Sequence, residues 1–157
     1  MNRSGARHEI LAHTADVGLR VEAPELRSLF SEAAAALAEL AADVPAGARE
    51  LPPERVELEA PDLVGLAYEW LNELIGLADV RRAALAGAQV ERLEQVPPPS
   101  DPGDEATWTW CLDGTIRLAR FEDGDVRPRV GVKSATYHDL RVEPSEGGWT
   151  LTAYLDV

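Results

Sequence analysis

The sequence is poor in several residues that would point to familiar chemistry. One cysteine, Cys111, stands among 157 residues, which excludes an internal disulfide and a Cys-rich zinc site. One lysine, Lys133, accompanies an arginine set that brings the basic residues to only 15 against 28 acidic ones, for a net charge of −13. With so few cations, stand-alone binding to a nucleic-acid backbone is not expected, because the dominant electrostatic attraction has the wrong sign. No glycine-rich phosphate loop or dinucleotide fingerprint occurs; Gly47, Gly65, Gly76 and Gly87 are scattered. Nor is there a long hydrophobic run. The Ala-rich stretch around Ser31–Ala42 contains Glu32 and Glu39 and falls short of the roughly 20 residues that span a bilayer. No membrane role is expected, and with no apolar leader at the N-terminus the expected compartment is the cytoplasm.

What remains is an ordinary soluble composition, 45% hydrophobic and 27% charged, of a length suited to one domain, residues 1–157. Apolar residues at Leu26, Leu29, Phe30, Ala33, Leu37, Leu40 and Val44 follow the helical period, so a helix is predicted from Pro24 to about Val44. A second is predicted from Pro61 to about Ala84, with Leu63, Val64, Ala67, Leu71, Leu74, Ile75 and Ala78 on its apolar stripe. Proline opens each helix and an acid follows it, as the first turn favours. Both stripes read as core packing.

Alternation predicts strands at Glu9–Leu11, Leu19–Val21, Arg55–Glu59, Val90–Val96, Trp108–Ala119, Leu140–Glu143 and Trp149–Val157. In the last, Trp149, Leu151, Ala153 and Leu155 share one face; Thr150, Thr152, Tyr154 and Asp156 share the other. Gly147-Gly148 should turn it antiparallel onto the preceding strand. The expected class is α+β: a mainly antiparallel β-sheet with two α-helices packed on one face, a two-layer sandwich. The proline-rich segment at 97–105 reads as a flexible surface loop.

Three polar strings stand out. His13-Thr14-Ala15-Asp16-Val17-Gly18 places Asp16 in a link between strands, with Gly18 permitting a tight bend; a turn aspartate bonding its own backbone is the plain alternative. Lys133-Ser134-Ala135-Thr136-Tyr137-His138-Asp139 gathers an ammonium, hydroxyls, a phenol, an imidazole and a carboxylate, or is simply a polar strand with an edge turn. Asp156-Val157 sets a side-chain carboxylate beside the terminal one. His8 reads as solvated near the N-terminus.

Together and in this order, with Leu71-Asn72-Glu73-Leu74-Ile75 in the second helix, these strings resemble the archease family over nearly the whole chain. The resemblance implies a small acidic protein that is not itself an enzyme. Its partner would be an RtcB-type RNA ligase, whose guanylylation and repeated turnover in tRNA splicing and RNA repair it promotes, broadening the nucleotides accepted. It also implies a divalent cation, calcium foremost with magnesium or manganese as alternatives, held by Asp16, Asp156 and the main-chain oxygen of Val157. Lys133, Tyr137 and His138 would lie on or near the docking face, and His13 would orient a ligand or bond local backbone. Leu19 after Gly18, Gly76, Gly131 and the 97–105 insertion depart from the family pattern, and none touches those ligands.

Physical chemistry favours the same ligands if the first and last strands are neighbours. Two carboxylates about 4 Å apart repel by roughly 4 kcal/mol at an effective dielectric near 20, so one takes a proton or a cation fills the gap. All-oxygen ligation selects a hard ion. The competing functions are a stand-alone metal-dependent phosphoester hydrolase, with His138 as general base, and an acidic scaffold without metal.

Overall fold

The computed structural model describes residues 5–12, 16–98, 108–123 and 125–157. In chain order the elements are β1 (Arg7–Ala12), β2 (Asp16–Ala23), α1 (Leu26–Ala41), β3 (Ala42–Asp43), β4 (Glu54–Ala60), α2 (Leu63–Arg81), β5 (Ala83–Val96), β6 (Thr109–Arg120), β7 (Arg127–Pro128), β8 (Ser134–Ala135), β9 (Arg141–Ser145) and β10 (Gly148–Asp156). Every described pairing is antiparallel. The class is α+β, as the sequence predicts.

The strands divide into sheets. One runs β1-β2-β10, and the far edge of β10 is shared by β9 along Gly148–Thr152 and by β8 at Leu155 and Asp156. A second runs β4-β6-β5, and β3 pairs with β7. Leu19, Val21, Leu151, Ala153 and Leu155 from the first sheet meet Leu112, Ile116 and Leu118 from the second in one core. Leu29, Phe30 and Leu37 of α1 and Leu66, Trp70, Leu71 and Leu74 of α2 fill the space between. Trp70 is fully buried, and its indole N–H donates to the Phe30 carbonyl at 2.8 Å, tying the helices together. Burying that donor without a partner would cost about 1–3 kcal/mol.

Both helices are shorter than the spans predicted for them. α1 starts after Glu25, whose extended backbone and N–H···Oγ bond to Ser28 (3.3 Å) make it the N-cap, so Pro24 precedes the helix instead of opening it. α2 starts after Asp62, whose carboxylate accepts from the Gly65 N–H at 2.6 Å; Pro61 again lies outside. α2 ends where Arg82 turns left-handed (φ 51°) and donates to the Ala78 and Asp79 carbonyls. Ala83 and Ala84 then enter β5, paired with Arg120 and Ala119. Alanine favours helix intrinsically, so only this pairing reveals the break.

His8 is not solvated. Its Nδ1 lies 2.5 Å from Glu32 and its Nε2 bonds Glu39, both on α1, clamping β1 to that helix. Burial weighs most and opposes the imidazolium, but the bonds from Glu32 and Glu39 and their charges together outweigh it, so the pKa is raised above its ordinary 6.5.

Candidate functional site

The five-stranded sheet brings residues of all three polar strings together at one rim. Asp16 is the first residue of β2 and Asp156 the last of β10, and the register makes them direct partners. Directly opposed antiparallel residues point to the same face with Cβ atoms about 4.5–5.5 Å apart. That face is the one opposite Leu155, which is fully buried. Asp16 therefore opens a strand; it does not sit in a link. Asp16 is partly buried, with Oδ1 shielded from solvent, while Asp156 is exposed and Val157, just past the last pair, is 39% exposed.

Gly18 does not bend the chain either. It lies mid-strand between Leu11 and Tyr154. A Cβ there would meet Tyr154 Cε1 at 2.9 Å and Leu11 Cβ at 3.0 Å. Its role is to let the Tyr154 ring lie across β2, two residues along from the carboxylate pair.

On the other side of β10, Ser134 is the partner of Asp156, completing a row Asp16–Asp156–Ser134 across three strands. The Lys133 N–H donates to the Asp156 carbonyl at 2.8 Å and the Thr136 N–H to that of Tyr154 at 3.2 Å. The Lys133 side chain is exposed. The chain then turns through Asp139, a left-handed residue (φ 53°). The His138 ring comes to 6.4 Å from that of Tyr154, tilted by 55°, with Nε2 3.2 Å from Asp139. Tyr137 goes the other way and stacks on Tyr68 of α2, centroids 3.9 Å apart and planes 11° from parallel. Lost hydration first, then the charges of Tyr68, Glu69 and Asp62, raises the Tyr137 pKa above 10 and keeps the phenol protonated. Asp16, Asp156, Ser134, the main chain of Lys133 and His138 thus gather along one edge of the sheet, whereas Tyr137 anchors the segment to the helix. His13 lies outside the described residues.

Among the described residues no group of three His, Cys, Asp or Glu side chains is placed to hold a metal. The donors at this rim are two opposed carboxylates and neighbouring main-chain oxygens. That set suits a hard cation and not zinc. An open cavity of about 860 Å³, lined by Arg7, Arg20, Glu22, Trp149 and Thr150 among others, sits toward the opposite end of β2 and β10, so the carboxylate pair is a rim feature.

The sequence reading names Asn72 only within the Leu71–Ile75 string and gives it no role. Asn72 of α2 accepts from the Ala135 N–H through Oδ1 (2.9 Å) and donates through Nδ2 to the carbonyls of Ala135 (3.2 Å) and Tyr68 (3.0 Å). A lone polar residue within a helical stripe was the available signal, but its partner lies 63 residues away.

Residues 8–157 match the archease protein family. Relatives called protein archease include one from Methanopyrus kandleri, 32% identical over 152 residues, covering 95% of this chain and 98% of its own. Another, from Archaeoglobus fulgidus, is 30% identical over 151 residues, covering 96% and 99%. The solution structure of Methanobacterium thermoautotrophicum protein 1598 has the same fold, with a TM-score of 0.70 at 24% identity over 96% of this chain and 98% of that one. With Asp16 and Asp156 in register at the sheet rim and a match from His8 to the last residue, the chain belongs to the archease family.

Proposed function

We propose that this protein activates an RtcB-type RNA ligase, promoting guanylylation of the ligase and its repeated turnover in tRNA splicing and RNA repair, and widening its nucleotide use. It is an accessory protein and not an enzyme. The observation that carries the reading is the cross-strand pairing of Asp16 with Asp156 in a chain of this family. Asp16, Asp156 and the main-chain oxygen of Val157 would hold a divalent cation, calcium foremost, with magnesium or manganese as alternatives. When bound, that cation supplies charge neutralisation beside a nucleotide phosphate.

The chain's own residues perform three tasks in this reading. Asp16 and Asp156 present paired negative charge at the rim. Ser134, opposite Asp156, offers a hydroxyl on the same face. Lys133 and His138, both exposed, flank the rim as contacts for the ligase or its nucleotide.

The test is multiple-turnover RNA ligation by the cognate ligase with and without this protein. Asp16→Ala and Asp156→Ala should each abolish stimulation while thermal unfolding stays cooperative. Full stimulation by both variants would falsify the reading. Release of phosphate from phosphoesters by the purified protein alone, dependent on a divalent ion and lost in His138→Ala, would favour the hydrolase instead.

A further inference from the structure

We infer that Asn72 is a positioning residue for the rim, holding β8 and through it the last turn of ladder that fixes Asp156; the link to the cation rests on the function proposed above. β8 is only two residues long and, among the described residues, pairs only with the end of β10. Bonds from the Lys133 and Thr136 amides reach Asp156 and Tyr154 on the β10 side. The Ala135 N–H and carbonyl point the other way, where a third strand would continue the sheet. The Asn72 carboxamide stands in for that strand, accepting from the N–H and donating to the carbonyl. Its orientation is fixed by chemistry: the Ala135 N–H can only donate, so the oxygen must face it, and the remaining Nδ2 proton goes to Tyr68.

Ala135 is 3% exposed, so neither main-chain group finds water if the carboxamide is removed. The end of a strand is where a ladder opens most readily. Asp156 occupies such an end, with β2 on one side and β8 on the other. Asn72 adds nothing apolar to the core that Trp70, Leu71 and Leu74 build from the same helix. The Tyr68–Tyr137 stack, one turn away on α2, braces the following residues and leaves the Ala135 groups to Asn72 alone among the described residues.

Two variants separate the parts of the bond. Asn72→Ala removes all three contacts. Asn72→Asp keeps an acceptor for the Ala135 N–H but turns a carboxylate against two carbonyls. Ser31→Ala is the control: its hydroxyl accepts the Val90 N–H at 3.0 Å on the other helix, remote from the rim. Amide hydrogen exchange and calcium titration by calorimetry are measured on all four proteins. Both Asn72 variants should lose protection selectively at Lys133, Ala135 and Thr136, and calcium affinity should fall about tenfold, the scale of losses when a ligand's supporting partner is removed. Ser31→Ala should lower the melting temperature with exchange at those amides and calcium affinity unchanged. Protection lost uniformly over the molecule, or retained at Ala135, overturns the inference. If the wild-type protein takes up no calcium, the cation reading fails by itself, and selective loss of protection still identifies Asn72 as the holder of β8.

Discussion

At the scale of single residues, Gly18 and His8 carry predictions independent of any ligase. Gly18→Ala puts a methyl group into the Tyr154 ring and against Leu11. The ring must leave β2, and stability should fall by about 1–3 kcal/mol, the usual cost of an overpacked site. Chemical denaturation measures it, and a change within 0.5 kcal/mol of zero would show that Tyr154 moves freely. For His8 the folded-state pKa is raised, so its contribution is complete below the unfolded value near 6.5 and disappears as pH rises through the higher folded value. The stability gap between wild type and His8→Gln should be widest below the unfolded value near 6.5 and should narrow as pH rises through the raised folded value. A gap that widens with rising pH would contradict the charged clamp between Glu32 and Glu39.

The elements show how far the sequence could be read. Long alternating or helical stretches were legible: β10, its hairpin with β9, β4, β6 and both helices fall where periodicity puts them. The errors lie where a short-range preference met a long-range partner. Ala83 and Ala84 look helical and are strand because Arg120 and Ala119 lie beside them. β3, β7 and β8 are two residues each, too short to show any period. The helix starts were each misplaced because Glu25 and Asp62 are caps, not first-turn residues. Asp62→Ala should accordingly cost about 1 kcal/mol. Trp70→Ala, which opens a cavity between α1, α2 and Gly114 and removes the bond to Phe30, should cost about 3–5 kcal/mol. Thermal or urea unfolding ranks the two, and a larger loss at Asp62 would contradict the packing described here.

For the molecule as a whole, the excess of acid is the dominant property, 28 acidic residues against 15 basic. Under the function proposed above, a ligase that handles RNA presents cations to phosphate, and an acidic partner would be steered toward that same mouth. Raising ionic strength from about 0.1 M to 1 M shortens the screening length from about 10 Å to about 3 Å. The rate of association between this protein and the ligase, followed by stopped-flow fluorescence, should drop across that range. A rate indifferent to salt would mean that the acidic surface has no part in recognition.

The sequence by itself determined the class of fold, the buried faces of its helices and long strands, and the identity of Asp16 and Asp156 as notable carboxylates. Those properties depend on periodicity and residue chemistry, which neighbours along the chain express. Only the tertiary structure decided that Asp16 and Asp156 oppose each other, that Gly18 makes room for Tyr154, that His8 is clamped by α1, and that Asn72 completes the edge of β8. Each of these joins residues between 24 and 140 positions apart. Such pairings are settled by strand register and by which buried groups find partners, and no local pattern records them.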